Sequence, residues 1–569
     1  MSKKISRKVP LNIDYDSLFS KIEGKPISKK ELIDSVYLVL SLVYPKGKYK
    51  HRYRKTNGFK PLSNVQMNQL TRNRFGDVKS LLLDPDVTPE GSILLEDESY
   101  QVGVVSKKYK LNDTLYNNPG EKYVTLDSNT SKRFIAHLEK KKEERKLFES
   151  QYNHIQQKFD ESCITIDDNV YDYIWSLQKE LFENSFQHHH RDKNIKIQIH
   201  MKIGELLSKC EKVKSKELST SISEKNHRFN STITNLNKEL RYYIKINGLD
   251  TIEVDTKNSQ PYILATILTY DFFASTTSEF SLNNIYPQLY NKVLRFEKYN
   301  EIKNSERTST YDASITYSNY TSNSLSIYYH SFIDESCMSG TLWHLSEFET
   351  YRNLPFETGI YYHLSEVFFN NEVSAKEIKK SVMYLLNASN KNMRNNIDVI
   401  RKFKETFPII NSIIEKFNSL KNLPSAFSLL LQRCESHLFL KVGCKELYDT
   451  LEDIPFITIH DGIIVPKENA GVVAKSLKTS IENYTKIPVG ISFKETTNPI
   501  DNIKKIGKEK WDEIIHAKFD ITELSEKDKY HLKIGANHFN QYMDSEEKKL
   551  EYIENLLIDD KNNKFRCKK

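Results

Sequence analysis

The chain has 569 residues, 38% hydrophobic and 11% aromatic, enough apolar surface for real cores and, by length, about three or four domains. Its net charge is +8, and residues 1–60 carry 15 Lys/Arg against 5 Asp/Glu, which excludes an acidic solvating chain and points to a polyanionic partner. The cysteines (Cys163, Cys210, Cys337, Cys434, Cys444 and Cys567) form no close pair, against a zinc or disulfide framework, and no run reaches the roughly 18 apolar residues of a membrane span. With no apolar core in the basic N-terminus, the expectation is a cytoplasmic chain without a signal peptide or membrane contact.

Residues 1–130 read as a basic N-terminal module. Its segment 47–60, "GKYKHRYRKTNGFK", interleaves Lys and Arg with Tyr49, Tyr53 and Phe59, a mixture that neutralises phosphates and stacks on bases. A helical pattern over 62–83 and a strand pair within 92–111 fit a small winged-helix-like unit, which would recruit a nucleic acid or a replication or mobile-element partner. From 131 to about 219 the pattern is helical and heavily charged, which usually means solvated faces. "HHHR" at 188–191 reads as surface loop, because three adjacent histidines in regular structure cannot all face one ion. A Ser/Thr/Asn/Tyr-rich stretch at 303–328 reads as an insertion, and no internal repeat is present.

Three stretches carry chemistry. In "LDTIEVDTKNSQPYILATIL", Ile252 and Val254 alternate as in a strand, Asp255 ends it, and Pro261 opens a helix. In "PFITIHDGIIV", His460 and Asp461 sit at the tip of a tight hairpin, with Gly462 expected to permit the turn. A strand-end aspartate alone usually caps a turn, but two brought together from distant strands would hold two Mg²⁺ ions, or Mn²⁺, for in-line phosphoryl transfer. In "AKEIKKSVMYLLNASNKN", Lys376, Lys380, Tyr384 and Ala388 recur every four residues on one helix face, opposite Ile378, Val382, Leu385 and Leu386. Two ammonium groups and an aromatic ring in that order suit a triphosphate and its sugar or base.

In order along the chain, these and four further stretches resemble the polymerase domain of family A DNA polymerases, the bacterial polymerase I type, with a secondary likeness to single-subunit phage-type RNA polymerases. "HRFNSTITNLNKELR" is similar to the family's primer–template grip through Arg228, Ser231, Thr232, Asn235 and Leu236. "VDTKNSQPYIL" resembles motif A, with Asp255 as metal ligand and the Thr256 carbonyl beside it. "GIYYHLSEVF" resembles the approach to the fingers helix, whose lysine and aromatic frame matches Lys376, Lys380 and Tyr384. "LLLQRCESHLFLKV" resembles the helix before motif C, with Gln432 at the minor groove. "HDG" resembles motif C, with Asp461 as second ligand and His460 near the primer end, and "KIPVGISFKE" resembles the closing strand.

The resemblance implies an α+β right-hand fold: a thumb-like helical region over 131–226, palm over 227–290 and 430–499, fingers over 291–429, and a helical tail over 500–569. It implies nucleotidyl transfer to a DNA (or RNA) primer–template, with Asp255, Asp461 and Lys380 catalytic, nucleoside triphosphate held by Lys376, Lys380, Tyr384, Gln260 and Thr256, and nucleic acid by Arg228, Asn235, Gln432 and His460. Three features depart from the family. Ala388 and Ser389 replace its Tyr-Gly pair, Lys376 replaces an arginine, and motif A has no sugar-gate glutamate, leaving Gln260 or Tyr262 to block a 2′-hydroxyl. Residues 1–219 show no D-x-E exonuclease cluster, so no proofreading is expected. The expectation is a DNA polymerase; the alternatives are an RNA polymerase or primase, and a silent nucleic-acid-binding factor on the same scaffold.

Overall fold

The computed structural model describes residues 5–11, 13–21, 29–44, 59–88, 91–97, 107–112, 121–126, 129–187, 193–291, 341–387, 398–420, 425–494, 497–517 and 524–542. Most of the basic segment 47–60, the "HHHR" tract, the 303–328 stretch, and Ala388 with Ser389 lie outside them. The protein is mixed α+β, and it divides into two compact units, 1–150 and 151–569. None of the described helices is long and apolar enough to cross a membrane.

In the first unit, strands Ile5–Pro10 and Glu121–Leu126 pair antiparallel, and Leu94–Glu96 pairs with Lys108–Leu111, the pairing expected within 92–111. Helices Lys29–Val43, Asn64–Thr71 and Phe75–Leu83 bury Val36, Val39, Leu70, Val78 and Leu82 around Tyr109. The charged helix Asn129–Ser150, most of which the resemblance assigns to a thumb-like region over 131–226, falls within this unit. Its first turns bury Thr130, Ser131 and Phe134, and it packs on Lys29–Val43 and Asn64–Thr71 while its later turns are solvated.

The second unit is built on a six-stranded sheet: β1 (Ile164–Ile166), β2 (Ile244–Ile246), β3 (Leu249–Thr256), β4 (Ile457–Ile459), β5 (Gly462–Pro466) and β6 (Ile491–Lys494). The apolar runs around His460 and Asp461 do form the antiparallel hairpin β4–β5, with Ile459 opposite Gly462 and only His460 and Asp461 in the loop. β3 lies between β5 and β6, so that Asp255 faces Gly462 on one side and Ser492 on the other. Its Val254, with Ile463 and Val465 of β5, is fully buried, which fixes the register, since a one-residue slip would turn every side chain over.

The helices of this unit include α1 (Val170–Gln187), α2 (Lys193–Lys214), α3 (Ser259–Ile267), α4 (Ala375–Asn387) and α5 (Ala426–Ser436). α3 follows β3 directly and packs on α5, which continues as a seven-residue π-helical turn, His437–Gly443. α4 buries Ile378, Val382, Leu385 and Leu386 on the face the sequence spacing predicts. Toward the C-terminus, α6 (Ala470–Thr485) connects β5 to β6, and α7 (Glu526–Tyr542) lies along α2 and packs on α1.

Candidate active site

The pairing of β3 with β5 brings Asp255 and Asp461 to the same end of the sheet. The Asp461 carbonyl accepts hydrogen bonds from the Thr256 backbone N–H at 3.3 Å and the Thr256 hydroxyl at 3.1 Å, so Thr256 anchors the hairpin tip to the end of β3. Burial, reinforced by the charge of Asp461, pushes the Asp255 carboxyl up to about 6. Its Oδ1 is buried with no hydrogen-bond partner among the described residues, while its Oδ2 lies 2.6 Å from the Lys494 ammonium.

The hairpin tip corrects one expectation. Gly462 does not supply the turn conformation; His460 does, with φ of 52°, in the left-handed region where a histidine costs about 1 kcal/mol or more. Gly462 is required for close approach, because a Cβ there would lie 2.9 Å from the Val254 carbonyl oxygen and 3.0 Å from Asp255 Oδ1. His460 itself is exposed, and partial desolvation together with the Arg228 charge lowers its imidazole pKa.

A third carboxylate, to which the resemblance gives no role, stands behind the pair. Glu435 on α5 accepts from the Ser259 hydroxyl at 2.5 Å and forms an ion pair with Arg228. Burial pushes its carboxyl up against the pull of Arg228, and the charge of Asp461 adds to the rise. Arg228 therefore spends one nitrogen on Glu435 instead of lying open for a duplex groove. The loop before it is clamped by Arg433, which donates to the carbonyls of Lys225 at 2.9 Å, Glu224 at 3.0 Å and Ile285 at 3.2 Å.

A run of side-chain hydrogen bonds joins four segments. Asn226 donates to Gln432 at 3.1 Å, Gln432 to the Ser428 hydroxyl at 3.1 Å, Ser428 to Asn387 at 2.5 Å, and Asn387 to Gln260 at 2.9 Å. Gln260 and Gln432 are thus brought together through Asn387, the last residue of α4. Lys380 and Lys376 lie on the exposed face of that helix, roughly 10 and 16 Å along its axis from Asn387, with half-buried Tyr384 between. Tyr262 is not available as a sugar gate: its hydroxyl is buried against the Thr485 hydroxyl at 2.7 Å and the Ile487 carbonyl at 3.1 Å. Asn235 folds back onto the Ser231 carbonyl at 2.9 Å, closing a turn that the Ser231–Thr234 bonds brace.

On the other face of Asp255 the network extends. Lys494 also reaches Glu253 at 2.8 Å, and Arg241 lies 3.6 Å from the same carboxylate. Partial burial works against the Lys494 ammonium, but its bonds to Asp255 and Glu253 outweigh that and raise its pKa. Lys494 and Glu435 fall within the stretches "KIPVGISFKE" and "LLLQRCESHLFLKV", but the resemblance gives neither a role; in a sheet whose register was already known, Lys494 would have been found as the residue opposite Glu253 and diagonal to Asp255. A scan against protein-family models and a search of curated proteins both return no match for this chain.

Proposed function

We propose that the chain is a template-directed nucleic-acid polymerase of right-hand form, a DNA-dependent DNA polymerase without proofreading. The observation that carries this reading is the register of β3 against β5, which sets Asp255 opposite Gly462 and so brings it to the end of the sheet where Asp461 stands in the hairpin loop. The donor set fits a divalent cation: two hard carboxylates, one with a buried oxygen that accepts no hydrogen bond from the described residues. Asp255 and Asp461 would hold Mg²⁺, with Mn²⁺ as a substitute, and the bound ions would supply charge stabilisation at the attacking 3′-hydroxyl and the leaving pyrophosphate.

The chain's own residues do the rest. Lys376 and Lys380 meet the triphosphate from the solvent side of α4, Lys380 neutralising charge as pyrophosphate departs, and Tyr384 meets the sugar or base. Gln260, coupled to α4 through Asn387, relays the position of that helix to the strand-end aspartate only five residues before it. Gln432 and His460 meet the nucleic acid, while Arg228, held by Glu435, orients the segment that carries it. In this reading the sheet is the palm and α4 belongs to the fingers.

Extension of a labelled primer–template with Mg²⁺ and either dNTPs or NTPs tests the proposal. Wild type extends with dNTPs, and Asp255→Ala and Asp461→Ala each abolish extension; preference for NTPs, or synthesis without a primer, selects the RNA polymerase or primase alternative. The engagement of Asp255 by Lys494 and of Arg228 by Glu435 favours one other reading, a silent nucleic-acid-binding factor. Duplex binding without extension under primed, unprimed and untemplated conditions would select it.

A further inference from the structure

The carboxylate proposed to hold metal already has a cation on it. β3 and β6 pair so that Lys494 stands opposite Glu253 and diagonal to Asp255 on the same face, and its ammonium touches both, at 2.8 Å and 2.6 Å. The lysine engages Asp255 Oδ2 only. Oδ1, on the side of Gly462, accepts no hydrogen bond from the described residues.

Four carboxylates, Asp255, Asp461, Glu253 and Glu435, thus share this region with three cationic side chains, Lys494, Arg241 and Arg228. Two half-buried aspartates at the end of one sheet repel each other in the absence of a counter-ion. A lysine suits that role better than an arginine, because its compact charge on a flexible stem moves between neighbouring carboxylates without a change in backbone. Glu253, one side-chain pair back along β3, is already in contact with the same ammonium. The lysine side chain is 42% exposed, which leaves room for the move.

We propose that Lys494 is a resident counter-ion of the metal site, bound to Asp255 when no divalent cation is present and displaced onto Glu253 when one arrives, so that it sets the metal affinity of the site. The inference rests on the reading of Asp255 as a metal ligand. It makes Lys494 a positioning residue, acting on the cation through Asp255.

The test is Mn²⁺ binding to the full chain without nucleic acid, followed by the paramagnetic resonance signal of the free ion. Lys494→Met tightens Mn²⁺ binding by about tenfold, Lys494→Arg does not tighten it because the charge is kept and its planar fork holds the carboxylate at least as firmly, and Glu253→Gln, which removes the retreat position, weakens it severalfold. Lys494→Gln, which retains a hydrogen bond to Glu253, carries the same expectation as the methionine variant if that one fails to fold. Binding that depends on Asp255, tested with Asp255→Asn, yet is unchanged or weaker in Lys494→Met and Lys494→Gln overturns the counter-ion and leaves the polymerase reading standing. Absence of Asp255-dependent binding in every variant overturns both.

Discussion

Replacing Gly462 with alanine separates the two roles a glycine can play at the hairpin tip. The backbone at 462 lies outside the left-handed region, so alanine costs nothing in conformation, and the whole effect is spatial. The added methyl would sit 2.9 Å from the Val254 carbonyl oxygen, 3.0 Å from Asp255 Oδ1 and 3.5 Å from Asp255 Cα, against a strand fixed on its other edge by β6. β5 must move outward by several tenths of an ångström, an overpacking cost of about 1–3 kcal/mol. The two bonds from Thr256 to the Asp461 carbonyl, at 3.3 and 3.1 Å, have no slack and add about 1 kcal/mol if both weaken. The expected loss is therefore about 2–4 kcal/mol. Gly471→Ala in the first turn of α6 is the control, because nothing lies within 4 Å of its Cβ and helix propensity favours alanine by up to about 1 kcal/mol. All three tryptophans, Trp175, Trp343 and Trp511, lie in the second unit, so fluorescence during guanidinium unfolding follows that unit alone. Equal midpoints for the two alanine variants would refute the argument from close approach.

Asp255→Asn is expected to stabilise the metal-free protein. A folded-state pKa raised from 3.8 to about 6 means that stability is lost as pH climbs between those values, so the variant gains up to about 3 kcal/mol above pH 6 and nothing below pH 4. Melting curves at pH 4 and pH 8 that shift equally would contradict this. Glu435→Leu leaves the Arg228 charge partly buried without its partner and is expected to cost about 3 kcal/mol, whereas the double change with Arg228→Met recovers most of it; denaturant midpoints of Glu435→Leu, Arg228→Met and the double that simply add would show that the pair is not coupled. Where α7 packs on α1 and α2, burial depresses His200 and His538 to about 4, and both pack around Gln178, which also donates to the Gly535 carbonyl at 3.0 Å. Neutral histidines are required there. Stability is complete above about pH 6.5 and falls toward pH 4, by at most about 3 kcal/mol per histidine, and hydrogen exchange in α7 is expected to accelerate over that interval. Exchange in α7 that is unchanged between pH 7 and pH 4.5, after correction for intrinsic rates, would rule it out.

Local pattern settled the elements. The alternation through Ile252 and Val254, the β-branched runs on either side of His460 and Asp461, and the spacing of Ile378, Val382, Leu385 and Leu386 each describe which face of a strand or helix is apolar, and that is written in neighbouring residues. The same information drew attention to both aspartates, but since a strand-end aspartate alone usually caps a turn, it was the order of the stretches along the chain that singled them out. What pattern does not contain is register between distant segments and the rotation of a helix about its axis. Those decide that Lys494 falls on Asp255, that Glu435 turns inward to Arg228 and Ser259, that Tyr262 is spent on Ile487, and that Gly462 serves packing while His460 bears the turn. Helix Asn129–Ser150 joined the first unit for a similar reason: a charged helix with one short apolar end goes wherever that end finds a core, and only tertiary contact identifies which core it is.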